Sequence, residues 1–303
     1  MRRRANLARC VLAALLVVVG TGAAARGYEQ SSHAQAVHPP LGGEGMVGEV
    51  LGRGLLEVGV GLFEPWVMCD ATGRLIGHEV DVARKIADDM GVHIRFVRTD
   101  WYYIIPALIQ GEFDLIASGM GITPPRGLYV NFSTPYSEFG TAVVANTART
   151  ADLTTPEDFD SPDVVFGARA GTVPAQAVAD HFPAAVLRTF DTDSALLQAL
   201  ADGELHAAAV DQVKAARWLD ARGDVLHRPF DELFNKVPEA FALRKGDADG
   251  VNFLNGWIAH HRSNGWLAER RHYWFETRDW ADRVSSDPAT VAQCNASFRP
   301  DPY

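Results

Sequence analysis

Short apolar runs alternate with amphipathic segments through most of this chain, and that alternation limits the folds open to it. Leu55–Val60 (LLEVGV) reads as a strand, and residues 67–80 read as a hairpin turning on Asp70, Ala71, Thr72 and Gly73. Ala83, Ile86, Ala87 and Met90 recur at i, i+3, i+4 and i+7, one face of a helix that Gly91 ends. His93–Arg98 is the next strand. A helix over 103–110, a buried strand over 113–117 and a strand over 141–145 follow. The pattern then starts afresh. A strand over 164–168 precedes a helix face of Ala175, Val178, Ala179 and Phe182, then a strand over 186–190. Asp191 or Asp193 caps a helix carrying Leu196, Leu197 and Leu200, and a small-residue strand over 206–210 ends at Asp211. Helices over 250–261 and 266–275 come last, the first with Val251, Leu254 and Ile258 inward. Such alternation specifies α/β lobes, each a mostly parallel sheet flanked by helices. In these sheets ligands bind beyond the carboxyl ends of strands. Arg126, Thr172 and Asp211 all follow strand ends.

The N-terminus reads as something other than fold. Arg2, Arg3 and Arg4 precede an apolar core over 11–19, too short to span a bilayer, and Ala23, Ala24 and Ala25 offer a small-residue cleavage site. This is a secretory signal peptide over 1–25, the other reading being an uncleaved anchor helix. Residues 26–50 mix Gly, Ser, His, Pro and Gln without periodicity and read as a flexible lead-in. At 303 residues the chain suggests two domains. The expected layout is a first lobe of 51–145 with 243–283, a second lobe of 146–242 and a tail over 284–303. The four arginines and no acids of 1–25 take a chain of net charge −10 to −14 once the leader is gone. So acidic a chain excludes nucleic acid and anionic membrane surfaces as partners. Cys10 leaves with the leader. Cys69 and Cys294 remain, and in an exported chain they either form a disulfide, pinning the tail to the first lobe, or stay as free thiols.

Residues 101–136, WYYIIPALIQGEFDLIASGMGITPPRGLYVNFSTPY, carry the most information about function. Ser118, Gly119, Met120 and Gly121 open a strand end into small residues, which lets a ligand approach the backbone. Arg126 follows, able to meet a carboxylate with two parallel hydrogen bonds. The order aromatic, IPAL, G-x-x-D, S-G-x-x-I-T-x-x-R, F-S-x-P-Y resembles the bacterial extracellular solute-binding proteins of the polar amino acid family. The likeness is collinear from about Leu55 to Trp274. It implies a two-lobed, type II periplasmic binding protein-like fold with the ligand cleft between lobes. It also implies a monomer in the periplasm that needs no cofactor and delivers a small amino acid-like ligand to the membrane subunits of an ABC importer.

The resemblance assigns roles by position. Arg126 matches the arginine that grips an α-carboxylate, with Thr123 and the backbone N–H of Thr172 as co-donors. Asp211 matches the partner of the α-ammonium, helped by the carbonyl of Gly119; the residues alone read Asp211 as the N-cap of a helix over 212–220. Phe63 and Trp101 match the two walls facing each other across the ligand, although Phe63 also reads as a core residue. Gly121 stands where many members have Ser or Thr, and Val173 and Pro174 replace polar residues. No counterpart appears near Phe63 of the acid that binders of cationic amino acids use, unless Glu64 points inward. The expected pocket is therefore rather apolar.

A second resemblance competes. The run from Arg228, Pro229 and Phe230 through Gly265, Trp266 and Leu267 to Trp274 and Trp280 is similar to cyclohexadienyl dehydratase, an enzyme on the same fold that converts prephenate or arogenate by loss of water and carbon dioxide. That enzyme needs a general acid, a glutamate two residues after its Gly-Thr pair. Pro174 stands there in this chain and transfers no proton. Catalytic residues and metal ligands are accordingly not expected. His260 and His261 are adjacent on a helix, unlike i, i+4 metal ligands, and read as solvated. No P-loop, G-x-S-x-G or G-x-G-x-x-G motif occurs.

Overall fold

Two mixed sheets organise the chain, and the computed structural model describes residues 45–294 apart from 278 and 286. The expected leader, most of the lead-in and residues 295–303 of the tail lie outside the described residues. In the first sheet Leu55–Val60 pairs in parallel with His93–Arg98 and with Leu115–Ile116. Parallel neighbours need a crossover, and helix His78–Met90 supplies it between the first two strands. Ala242–Arg244 then enters antiparallel beside Leu115–Ile116 and pairs outward with Val130–Phe132. The core beneath joins Leu56, Val58, Val80, Ile86, Leu115, Phe241, Leu254 and Ile258.

The second sheet repeats the plan. Val165–Arg169 pairs in parallel with Val186–Phe190 and with Ala207–Asp211. Ala207–Asp211 is antiparallel to the long strand Ser137–Asn146, which also carries Leu226–His227 and Phe234–Glu239. Each sheet is thus parallel at its βαβ centre and antiparallel where the connecting strands arrive. Ser137–Asn146 belongs wholly to the second sheet. Its pairing puts the first crossing before Ser137, earlier than the point expected near Asn146. The return runs through Ala240 and Phe241, both buried.

Several local expectations change. Met46–Arg53 is a helix, not lead-in: Met46 and Val50 are buried, and Asp247 Oδ2 accepts the Met46 N–H at 2.8 Å. The helix Val173–His181 buries Val173, Pro174, Ala177 and Val178 and leaves Ala179 exposed, because it starts at Val173 and its face turns accordingly. Thr192, not an aspartate, caps Asp193–Ala201 through the Ala195 N–H. His261 is buried against Asp89, with 2.8 Å between Nε2 and Oδ2, rather than solvated.

The described part of the tail packs onto the first lobe. Cys69 and Cys294 are bonded, with Cα atoms 6.0 Å apart. Ser285 donates its N–H to the Cys69 carbonyl at 2.8 Å, and buried Trp280 lies 5.6 Å from Trp274. A disulfide typically contributes about 2–4 kcal/mol, mainly by constraining the unfolded chain. The bridge therefore ties the chain's last described residue to its first hairpin.

Candidate functional site

The expected site residues converge where the carboxyl ends of both sheets face each other. From the first lobe, Gly61 follows a strand end and exchanges two hydrogen bonds with Ser118: its N–H donates to Oγ at 3.0 Å, and Oγ donates to its carbonyl at 3.1 Å. This clasp holds the small-residue loop against the first strand. Gly119 adopts φ +62°, and a Cβ there would lie 2.4 Å from the Trp66 ring, so only glycine fits. A Cβ on Gly121 would come within 2.9 Å of Val237 Cγ2. Val237 therefore leaves little room for any side chain at position 121.

Thr123 caps the single turn Pro124–Gly127 and so aims Arg126. The Arg126 guanidinium donates to the carbonyls of Gly121, at 2.8 Å, and Gly171, at 3.1 Å. It also lies 5.5 Å from the Trp101 ring centroid. Burial pulls its pKa down to about 10, which leaves it cationic at neutral pH. Trp101 Nε1 donates to the same Gly171 carbonyl at 3.2 Å. Phe63 and Trp101, expected as walls on either side of the ligand, stack on each other, with centroids 6.2 Å apart. A cavity of about 240 Å³ opens beside Trp101, Met120, Arg126 and Gly171. A larger groove lined by Asp89, Trp257 and His261 lies among helices of the first lobe, remote from the strand ends.

The second lobe presents two helix starts. Thr172 caps Val173–His181, its Oγ1 accepting the Ala175 N–H at 3.4 Å and donating to the Arg169 carbonyl at 2.7 Å. Pro174 is buried in that helix's first turn. Asp211 caps Gln212–Arg222, its Oδ1 accepting the Lys214 N–H at 2.7 Å. The carboxyl is fully buried, and burial raises its pKa against the opposing pull of Lys214. The capping reading of Asp211 is therefore realised, and its second oxygen lies 3.5 Å from Lys214 Nζ.

Four functional neighbours escaped the sequence reading. Lys214 Nζ bonds Asp193 Oδ2 at 2.7 Å, lies 3.5 Å from Asp211 Oδ2, and sits 3.6 Å from the Phe63 centroid. Arg169 donates to the Leu62 carbonyl at 2.9 Å and lies 5.7 Å from the same ring. Arg217 pairs with Glu64 across the lobes, so Glu64 is engaged by a protein cation. Asp193 joins Lys214 to Arg169, the latter at 3.6 Å. The one signal available in sequence was the i, i+3 spacing of Asp211 and Lys214. Contacts between lobes leave no such trace.

The family model for bacterial extracellular solute-binding proteins, family 3, matches residues 56–277. Over 233 residues the chain is 28% identical to the L-cystine-binding protein TcyJ of Escherichia coli K12, covering 77% of this chain and 86% of that one. A solved binding component of an ABC transporter from Wolinella succinogenes, complexed with lysine, is 31% identical with a TM-score of 0.71, covering 76% of this chain and 99% of that one. The ancestral amino acid-binding protein AncCDT-1, a precursor of cyclohexadienyl dehydratase, is 32% identical with a TM-score of 0.70, covering 77% of this chain and all of that one.

Proposed function

The chain belongs to family 3 of the bacterial extracellular solute-binding proteins, and on that premise we propose that it captures a small amino acid or similar carboxylate between its lobes and delivers it to an ABC importer. The observation that carries this reading is the half-buried Arg126 at the mouth between lobes, its guanidinium bridging a first-lobe and a second-lobe carbonyl. A carboxylate is a better partner for a guanidinium than either carbonyl, because both groups are charged and the pair is bidentate. Thr123 and the Thr172 N–H stand beside it as further donors. Phe63 and Trp101 form the wall, while Asp211 and the Gly119 carbonyl balance charge on the opposite side. A ligand held by Arg126 and by second-lobe groups together favours the closed arrangement over the open one, which is hinge closure by differential affinity.

The leader read over residues 1–25 supports a periplasmic location, and the protein acts there as a monomer that meets the importer's membrane subunits. The dehydratase reading is weaker on two counts. The similar proteins named above are binders, and the position of that enzyme's acid is Pro174, buried in a helix turn. Glu64 offers no substitute, since Arg217 holds it.

A thermal-shift panel tests the function. The probes are each L-amino acid, a set of 2-oxo and 2-hydroxy acids, and prephenate. A ligand at 100 times its dissociation constant adds about 2.7 kcal/mol of stability. Stabilisation by one small group of carboxylates is the expected result. Silence across the panel contradicts the reading, and release of phenylpyruvate from prephenate transfers it to the dehydratase.

A further inference from the structure

The second lobe brings its own ammonium group to the cleft. Lys214 is anchored one turn beyond the Asp211 cap, and its side chain is only 7% exposed. Its Nζ lies against Asp193 and Asp211 and directly over the Phe63 ring. Under the proposed function these are the carboxylate that would meet a ligand's α-ammonium and the wall that would face it. We propose that Lys214 stands in for that ammonium, and that the cleft takes a small monocarboxylate lacking an α-amino group: a 2-oxo or 2-hydroxy acid. The inference rests on the roles given above to Arg126 and Asp211 and names the ligand class that follows from them.

Charge balance supports it. Around the stacked rings stand three cations, Arg126, Arg169 and Lys214, and two acids, Asp193 and Asp211. Glu64 and Arg217 cancel one another. A monocarboxylate closes the deficit of one negative charge, whereas a zwitterion leaves it open and sets a second ammonium beside Lys214. Buried charges persist only when paired, so the first ligand fits and the second is repelled. Burial raises the Asp211 carboxyl, which weakens its hold on an added cation.

Donor geometry points the same way. An ammonium has three N–H donors and no acceptor. One bonds Asp193 and another faces Asp211. The Phe63 ring covers the remaining side, 3.6 Å from Nζ to its centroid, so this ammonium already occupies both carboxylates and the ring face that an added α-ammonium would need.

Calorimetric titration of the exported chain with matched acids tests this. The probes are L-alanine, pyruvate and L-lactate; L-leucine and 4-methyl-2-oxopentanoate; L-phenylalanine, phenylpyruvate and L-phenyllactate; L-glutamate and 2-oxoglutarate; and L-arginine, L-lysine and L-cystine. The oxo or hydroxy acid of the side chain that binds is expected to be tighter than its amino acid by about tenfold or more. Lys214→Met is expected to shift that ratio towards the amino acid by about tenfold, with Lys214→Arg keeping the wild-type order. An amino acid that binds the wild type as tightly as its oxo acid, or tight binding of arginine, lysine or cystine, overturns the inference and leaves the solute-binding function standing. Silence from every probe contradicts that function and the inference with it. Should Lys214→Met fail to fold, the wild-type ranking alone decides.

Discussion

Among the described residues, one group of acids lines the cleft and another lies at the crossing between lobes. They solve the same problem by different means. At the cleft, Asp211 and Asp193 share Lys214, and Arg169 stands 3.6 Å from Asp193. At the crossing, Glu79 and Glu239 are both buried, at 0% and 1% exposure, whereas at the cleft only Asp211 is. Tyr136 donates its hydroxyl to Glu79 Oε2 at 2.7 Å, and His78 Nδ1 lies 2.8 Å from Glu79 Oε1. Glu239 has the Ser137 hydroxyl beside it, and that hydroxyl in turn accepts from Arg271 at 2.5 Å. Burial first, and the Glu79 charge second, push the Glu239 carboxyl up to about 8. A cation compensates the cleft acids, whereas a proton compensates Glu239. The cleft is therefore balanced by a lysine, and the crossing holds one carboxylate as the acid beside the charge of the other.

Breaking the cleft pair should have the larger effect. Asp211→Ala removes a helix cap and one of the two carboxylates beside the largely buried Lys214 ammonium, leaving it Asp193 alone. The expected loss is about 3–5 kcal/mol of unfolding free energy, read from urea titrations. A loss under about 1 kcal/mol, the size of a cap alone, would erase the distinction between the two clusters.

The crossing sharpens the contrast through pH. The Glu239 carboxyl goes from 4.5 in the unfolded chain to about 8 in the fold. Its contribution is fully present below the unfolded value and is lost as pH rises through the folded one. Stability should fall by up to about 4 kcal/mol between roughly pH 5 and 9. Glu239→Gln carries the neutral form permanently and should flatten that slope. A slope that survives the substitution would mean that the joint is not held by this proton.

Much of the architecture could be read from the sequence because it is local. The periodicity of residues 83–90, the strand Leu55–Val60 and the small-residue loop after Ala117 each report their own conformation. Arg126, Trp101, Phe63 and Asp211 could be named because their motif resembles a family, and the fold brings them to one cleft. What escaped is pairing at a distance. The apolar run within Ser137–Asn146 reads the same in either sheet, so its partners, Ala207–Asp211 and Phe234–Glu239, alone decide where the chain crosses. Met46–Arg53 was masked by the glycines around it, and it becomes a helix because Asp247, far along the chain, caps it. The ion pair of Glu64 with Arg217 and the seat of Lys214 on Phe63 join residues from opposite lobes. Only tertiary structure displays such contacts.

The role of Arg126 is the claim on which the rest depends. The most direct test is calorimetric titration of the wild type and Arg126→Ala with the carboxylate that binds the wild type most tightly, with circular dichroism confirming that both are folded. Losing one partner of a buried, charge-assisted pair costs about 2–5 kcal/mol, so affinity should drop roughly thirtyfold or more. An unchanged affinity would mean that the ligand's carboxylate is held elsewhere, and would contradict this account of the cleft.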